Sequence, residues 1–346
     1  MVEALPDQAN STLHPRENFE FIGNENAEIS LFEALNGERM HHAWLFHGAK
    51  NIGKATLAYR FARRYLGAKP SQESPLASFV DDPICQNTAQ NSCPDLRVAT
   101  RYCPQDEKVK SVISIHAIRE LISMFDLRAN NQLGRRVAII DCADEMNEAS
   151  SNALLKTLEE PPKGAIIILI ANSLGRVLPT IRSRCRLLSL EPLSDEKMKN
   201  NFPRIDDANL VLSQGCVGRV KVLENFDIEN TYKIISRALE TMPNPTISSI
   251  IEASKLGNDI EKFEIIMAII ENWLSRAASA SMGLEIREIS PGESANMARL
   301  FGQTNLPKIY DAWKNIATLK QQVANQLDKS TAIIEVFNQI KAQIAR

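Results

Sequence analysis

The residues Gly48-Ala49-Lys50-Asn51-Ile52-Gly53-Lys54 have the types and spacing of a phosphate cradle. The apolar run ending at Phe46 leads into them and a helical pattern through Tyr65 leaves them, so they lie between a strand and a helix, where such a loop must lie. Gly48 and Gly53 let backbone N–H groups curl around an anion, the helix N-terminus adds a positive dipole, and Lys54 adds a full charge. The next position normally carries a hydroxyl that ligates Mg²⁺, and here it is Ala55. Thr56 follows, but one step along a helix turns its side chain to another face. Two readings stand open: a relic that shapes the loop, and a loop that still takes a nucleotide.

A second acidic position belongs to the same chemistry. Arg136-Val137-Ala138-Ile139-Ile140 is a buried-strand pattern ending in Asp141, the placement from which a carboxylate holds Mg²⁺ beside a nucleotide. Hydrolysis needs another carboxylate directly after it to polarise the attacking water. That position is Cys142, and a thiol is a poor substitute for a carboxylate base. Glu145 lies three residues on, past the strand end, and belongs to the turn or the next helix. Losing both the hydroxyl and the carboxylate predicts a chain that does not hydrolyse ATP.

The elements that must position these groups follow from the hydrophobic pattern. Residues 1 to about 190 alternate short apolar runs with helical segments, the mark of an α/β parallel sheet covered by helices. The clearest strands are Ala43–Phe46, Val137–Ile140 and Ala165–Ala171; the last two are apolar without alternation, as in strands buried on both faces. Residues 69–109 are polar and poor in periodicity and read as an irregular insertion. From Pro192 the pattern is helical, with short segments to about Asn225 and longer amphipathic ones over 228–346. Phe263, Ile266, Met267, Ile270 and Trp273, and likewise Ala332, Ile333, Val336, Phe337 and Ile340, recur at helical spacing and read as helix–helix core.

Composition narrows the class. Hydrophobic residues make up 44% and charged residues 24% of 346, enough for a sizeable core and for two or three domains. Forty basic against forty-two acidic residues give −2, which argues against a protein that grips nucleic acid over its whole surface. No run approaches a membrane span, and Met1 to Asp7 lack the charged and apolar regions of a signal peptide. The six cysteines read as reduced thiols of a cytoplasmic protein. Cys85, Cys93 and Cys103 stand eight and ten apart with no CxxC step, too few and too widely spaced for a structural zinc, so no zinc is expected. His41 and His42 precede the first strand with no visible nucleophile and read as helix-end packing or exposed residues. Arg135 and Arg136 read first as a solvated turn, with a subunit or DNA contact as the alternative.

Three further stretches carry a resemblance. Asn152-Ala153-Leu154-Leu155-Lys156-Thr157-Leu158-Glu159-Glu160-Pro161-Pro162, Ile166–Ala171 closed by Asn172, and Leu178-Pro179-Thr180-Ile181-Arg182-Ser183-Arg184-Cys185 resemble, in order, the helix after the acidic strand, the sensor-1 strand and the Ser-Arg-Cys motif of bacterial DNA polymerase III clamp-loader subunits, which are AAA+ proteins. With Phe21-Ile22-Gly23, His42–Phe46 and the loop, the similarity covers about residues 20–190, and Asn325-Gln326-Leu327-Asp328-Lys329 resembles a turn of their last domain. Within the family, an intact Ser-Arg-Cys beside a damaged nucleotide site resembles the delta-prime branch.

The resemblance implies an AAA+ core over 1–190, a small helical lid over 191–227 and an all-α collar that oligomerises over 228–346. It implies that Arg184 serves as an arginine finger acting in trans, that Gly48, Gly53 and Lys54 form a vestigial phosphate loop, and that Asp141 and Asn172 occupy the Walker B and sensor-1 positions. Arg219 lies near the sensor-2 position. The chain itself then needs no cofactor, ATP and Mg²⁺ sit on the neighbouring subunit, and the partners are gamma/tau and delta subunits, with the sliding clamp and primed DNA met through the complex. Two rivals remain: an active gamma/tau-type ATPase using Asp141 and Glu145, and a standalone DNA-binding AAA+ protein. Near-neutral charge and the lack of a helix-turn-helix or basic tail count against the second. A surface arginine capping a helix or pairing with Glu191 is the alternative for Arg184.

Overall fold

Short, mostly apolar runs form the strands, and five of them pair into one parallel sheet. The computed structural model describes residues 12–37, 40–103, 108–110, 112–301, 306–324 and 327–344. Met1 to Asp7, Asn325 and Gln326, and the Cys103 side chain lie outside the description. In chain order the elements are α1 (Glu25–Asn36), β1 (Ala43–His47), α2 (Lys54–Leu66), α3 (Pro83–Ala89), β2 (Leu96–Ala99), α4 (Ile115–Ser123), β3 (Arg136–Ile140), α5 (Glu148–Glu159), β4 (Ala165–Ala171), α6 (Pro179–Arg182) and β5 (Arg186–Ser189). They continue as α7 (Asp195–Asn201), α8 (Asp207–Ser213), α9 (Val217–Leu223), α10 (Ile228–Glu240), α11 (Ile247–Leu256), α12 (Ile260–Ser281), α13 (Glu293–Phe301), α14 (Leu306–Ala324) and α15 (Lys329–Ile344).

The five strands lie in the order β2-β3-β4-β1-β5, all parallel, with Phe46 opposite both Ile170 and Leu188, and Ile140 opposite Leu169. Alternate residues serve opposite faces. Trp44, Phe46, Ile139, Ile168 and Ile170 pack with Leu31 of α1 and Leu57 and Phe61 of α2. Leu45, Ile140, Ile167 and Leu169 pack with Ile118 and Leu121 of α4 and Leu154 and Leu158 of α5. Every residue of β4 is buried, and each of its large aliphatic side chains contributes about 1.5–3 kcal/mol of transfer free energy. This burial on both faces fixes the strand ends at which the functional residues sit.

The reading of 69–109 as irregular is corrected. The stretch contains α3, capped by Asp82, whose carboxylate accepts the Ile84 N–H at 2.9 Å, and a short hairpin pairing Tyr102–Cys103 with Lys108–Val109. It also supplies β2, an edge strand of the main sheet. Leu96-Arg97-Val98-Ala99 is four residues long with Arg97 exposed, too short to show a period against its polar flanks.

The chain divides into two compact units, Met1–Pro203 with Gly215–Val222, and Arg204–Gln214 with Leu223–Arg346. Residues 191–227, expected as a lid, are thus shared between them. The second unit is helical among its described residues. Phe263, Ile266, Met267, Ile270, Trp273, Ile333, Val336 and Phe337 are buried in it, as helix–helix core requires. It also buries a polar triad: Arg276 pairs with Glu293, and Tyr232 donates to Glu293 while accepting from Arg276 Nη1 at 2.9 Å. Among the described residues no helix is long and apolar enough to cross a membrane.

Candidate functional site

The loop after β1 is shaped by close approaches of its own chain. Gly48 has φ +147°, and a Cβ there would lie 2.3 Å from the Leu190 carbonyl oxygen. Leu190 in turn donates its N–H to His47 at 2.9 Å, which locks the loop's entry to the end of β5. Gly53, at φ +105°, starts α2 beneath the ring of Phe21. The segment 215–222 closes the loop from outside: the Gly218 N–H donates to the Asn51 carbonyl at 2.9 Å, and Lys221 pairs with Glu20 at 3.1 Å. Arg219, the sensor-2 candidate, follows Gly218 directly on this segment.

Lys54 is 4% exposed. Its Nζ donates to the carbonyls of Gly48 (2.9 Å) and Ala49 (2.7 Å) and to Oδ1 of Asn172 (2.9 Å). An ammonium has three N–H donors, so all are taken by the protein itself. Burial lowers its pKa, opposed in part by the carboxylates of Asp141 and Asp144. The same burial, with the Lys54 charge, lowers the pKa of His47.

Asn172, at the end of β4, also offers Nδ2 to Cys142 Sγ at 3.6 Å, and the thiol faces Asp141 Oδ1 at 3.7 Å. Cys142 has a left-handed backbone, φ +64°. Burial, then the charges of Asp141, Glu145 and Asp144, raise its pKa, so the thiol stays protonated where a base would be needed. Glu145 is turned to an ion pair with Arg101 at 2.7 Å. Asp144 was not singled out in the sequence. Its buried carboxylate accepts the N–H groups of Asn172 (3.1 Å) and Ser173 (3.0 Å), tying the turn after β3 to the end of β4. Nothing in its spacing signals this, because both partners come from another strand.

Gly48, Gly53, Lys54, Asp141 and Asn172 therefore meet at the C-terminal ends of β1, β3 and β4, the usual ligand end of an open parallel sheet. The cluster offers a divalent ion one carboxylate, at Asp141, no hydroxyl at position 55, and a protonated thiol at 142.

Arg184 stands apart, at the junction of α6 and β5. Nη2 meets Glu159 Oε1 at 2.6 Å, and Nη1 donates to the Thr180 carbonyl (2.9 Å) and to Ser183 Oγ (3.5 Å). Its partner is thus Glu159 and not the sequence-based candidate Glu191, whose backbone N–H instead binds Asn24 Oδ1 at 2.7 Å. The packing of α5 on α6 brings Glu159 across. Burial pushes the neighbouring Cys185 thiol up to about 12.

Other candidates resolve into structure. Arg136 is buried and donates to the carbonyls of Met124, Phe125 and Leu127, and Arg135 lies 4.9 Å over the Tyr65 ring while donating to the Tyr65 carbonyl at 3.0 Å. They are not a solvated turn, because each guanidinium binds backbone carbonyl oxygen at or just past the C-terminal end of a helix. His41 and His42 stack, and His42 Nε2 meets the Leu158 carbonyl near the end of α5 at 2.8 Å. Cys85 and Cys93 are buried with pKa values raised by burial; that of Cys85 reaches about 11.

Residues 23–194 match the family model described as DNA polymerase III, delta subunit. The chain is 33% identical to the DNA polymerase III subunit delta' of Pseudomonas aeruginosa over 45% of each chain. It is 30% identical to that of Bacillus subtilis over 50% of this chain and 49% of that one. It is also 26% identical to the DNA polymerase III subunit tau of Bacillus subtilis, over 74% of this chain and 41% of the relative. The aligned region spans about half the length of the delta' relatives.

Proposed function

Since this chain is a delta-prime-like member of the DNA polymerase III clamp-loader family of AAA+ proteins, we propose that it is the loader's non-hydrolysing subunit and supplies Arg184 to the ATP site of a neighbour. In this reading its partners are gamma/tau and delta subunits, and it works in the cytoplasm. The complex opens the sliding clamp and closes it on primed DNA. The chain needs neither nucleotide nor zinc of its own.

One observation carries the reading: every N–H of the Lys54 ammonium is spent on Gly48, Ala49 and Asn172. With Ala55 in place of the metal-binding hydroxyl and a protonated thiol at Cys142, the donor set does not fit a Mg²⁺-bound triphosphate, so no catalytic step is assigned to this chain's own site. Arg184, by contrast, lies at the surface, 35% exposed. An arginine is always charged and grips two phosphate oxygens through a planar fork, so it stabilises charge developing on a transferred phosphoryl group. It does so without any nucleotide on its own subunit. Arginine fingers are worth roughly 10³–10⁵ in rate in well-studied systems.

The test is a complex rebuilt with Arg184→Ala. Assembly is expected to survive, while turnover at the facing site and clamp loading fall. Unchanged loading and turnover in an intact complex would remove the finger. The similarity to a tau subunit supports a second reading, an ATPase motor in its own right. ATP turnover by the isolated chain that disappears in Lys54→Ala would favour that reading instead.

A further inference from the structure

An arginine finger is useful only if its fork is free when the phosphate arrives, and in this structure the fork is engaged. Nη1 of Arg184 serves the Thr180 carbonyl and Ser183 Oγ, and Nη2 serves Glu159 Oε1 at 2.6 Å. Thr180 and Ser183 belong to the same turn as Arg184, so they travel with it. Glu159 does not: it is the last residue of α5. Glu159 takes one N–H of Nη2 and a phosphate competes with it for that nitrogen, so the fork is fully available to two phosphate oxygens only when Glu159 lets go and the side chain swings away from its own turn.

Exposure makes that release easy. The side chains of Arg184 and Glu159 are 35% and 50% exposed, and a pair this wet is held weakly. Glu159 sits at the C-terminal end of its helix, where the dipole disfavours a lone negative charge, so the carboxylate draws the guanidinium back when no phosphate holds it. A firm buried bridge would have the opposite consequence, holding the finger out of use.

We propose that Glu159 is a positioning residue that parks Arg184, keeping the guanidinium on its own subunit until the triphosphate of a neighbouring subunit draws it across. The proposal rests on the arginine-finger reading. The parked pair narrows the arginine's rotamers in the resting complex and sets a small threshold against turnover before the subunits close.

The experiment rebuilds the complex with its ATP-hydrolysing subunits from four versions of this chain: wild type, Glu159→Gln, Arg184→Ala and the double variant. Steady-state kcat and KM for ATP are measured without clamp or DNA, and each variant chain is melted to check its fold. Glutamine keeps the length and one carbonyl acceptor but removes the charge. The turnover lost in Arg184→Ala defines the share the finger carries. Glu159→Gln is expected to raise that share about two- to fivefold, about 0.4–1 kcal/mol at 1.36 kcal/mol per factor of ten, with KM unchanged. The double variant is expected to match Arg184→Ala. A pair that matters only for folding would not raise kcat. If Arg184→Ala lowers turnover but Glu159→Gln leaves it unchanged or lowers it, the parking role is wrong and the finger stands. A rise that persists in the double variant also overturns parking, because it bypasses the arginine. No loss in Arg184→Ala removes the finger itself.

Discussion

Replacing Glu293 with glutamine tests the buried triad of the second unit. The Glu293 side chain has no exposure, and its two oxygens receive four donors: the Tyr232 hydroxyl and Arg276 Nη1 (3.3 Å) on Oε1, and Arg276 Nη2 and the Ile289 N–H (3.0 Å) on Oε2. Glutamine keeps one accepting oxygen and turns an NH₂ toward the other pair of donors. Two buried donors then lose their acceptor, at about 1–3 kcal/mol each, and the guanidinium loses its counter-charge. This agrees with the roughly 3–5 kcal/mol seen when one partner of a buried ion pair is removed. The remaining bond from Arg276 Nη2 to the Arg287 carbonyl, at 2.6 Å, does not neutralise the charge. The assay is urea unfolding near neutral pH, comparing midpoints at constant slope. A triple variant, Tyr232→Phe, Arg276→Met and Glu293→Leu, is expected to recover most of the loss, because it removes the buried charges and side-chain donors together and leaves only the part-buried Ile289 N–H and Arg287 carbonyl to find other partners. A loss under about 1 kcal/mol in Glu293→Gln, or a triple variant worse than the single one, would refute this account.

Two further predictions concern the first unit. Gly48→Ala is expected to cost about 2–4 kcal/mol in urea unfolding without nucleotide, from the strained backbone and the clash with the Leu190 carbonyl, and an unchanged midpoint would show that β1 and β5 can separate freely. The chain should also lose stability in alkali. The Cys85 thiol is raised from 9.0 to about 11, chiefly by burial. An unfolded thiol therefore releases its proton first, so this contribution is full below pH 9.0 and is lost as pH rises through about 11. Cys85→Ala should flatten the fall in stability between neutral pH and about pH 10 by roughly 1 kcal/mol, and an identical slope would exclude this cause.

Much of this protein was legible where the information is local. The runs Val137–Ile140 and Ala165–Ala171 announce doubly buried strands because burial on both faces demands apolar residues at every position. The loop from Gly48 to Lys54 announces itself because a tight turn, close backbone approach and a following helix each demand a residue type at a fixed offset. Ala55 and Cys142 are informative for the same reason, as the wrong types at positions whose chemistry is set by spacing.

Partnerships were not legible. Lys54 and Asn172 are 118 residues apart, and only the β1–β4 register brings the amide to the ammonium. Asp144 and Glu145 look equivalent in the sequence, yet the turn after β3 sends one to the end of β4 and the other to Arg101. For Arg184 the sequence offered a helix cap or Glu191 as partner. The packing of α5 against α6 selects Glu159, 25 residues away, over Glu191, only seven residues on. Arg136 looked like a solvated charge until the carbonyls of Met124, Phe125 and Leu127, in the turn after α4, closed around it. The sequence by itself thus determined which groups the chain has and which catalytic groups it lacks. The tertiary structure alone decided where each charge finds its partner, because a hydrogen bond extends only about 3 Å and the residues it joins are set by packing, not by their separation along the chain.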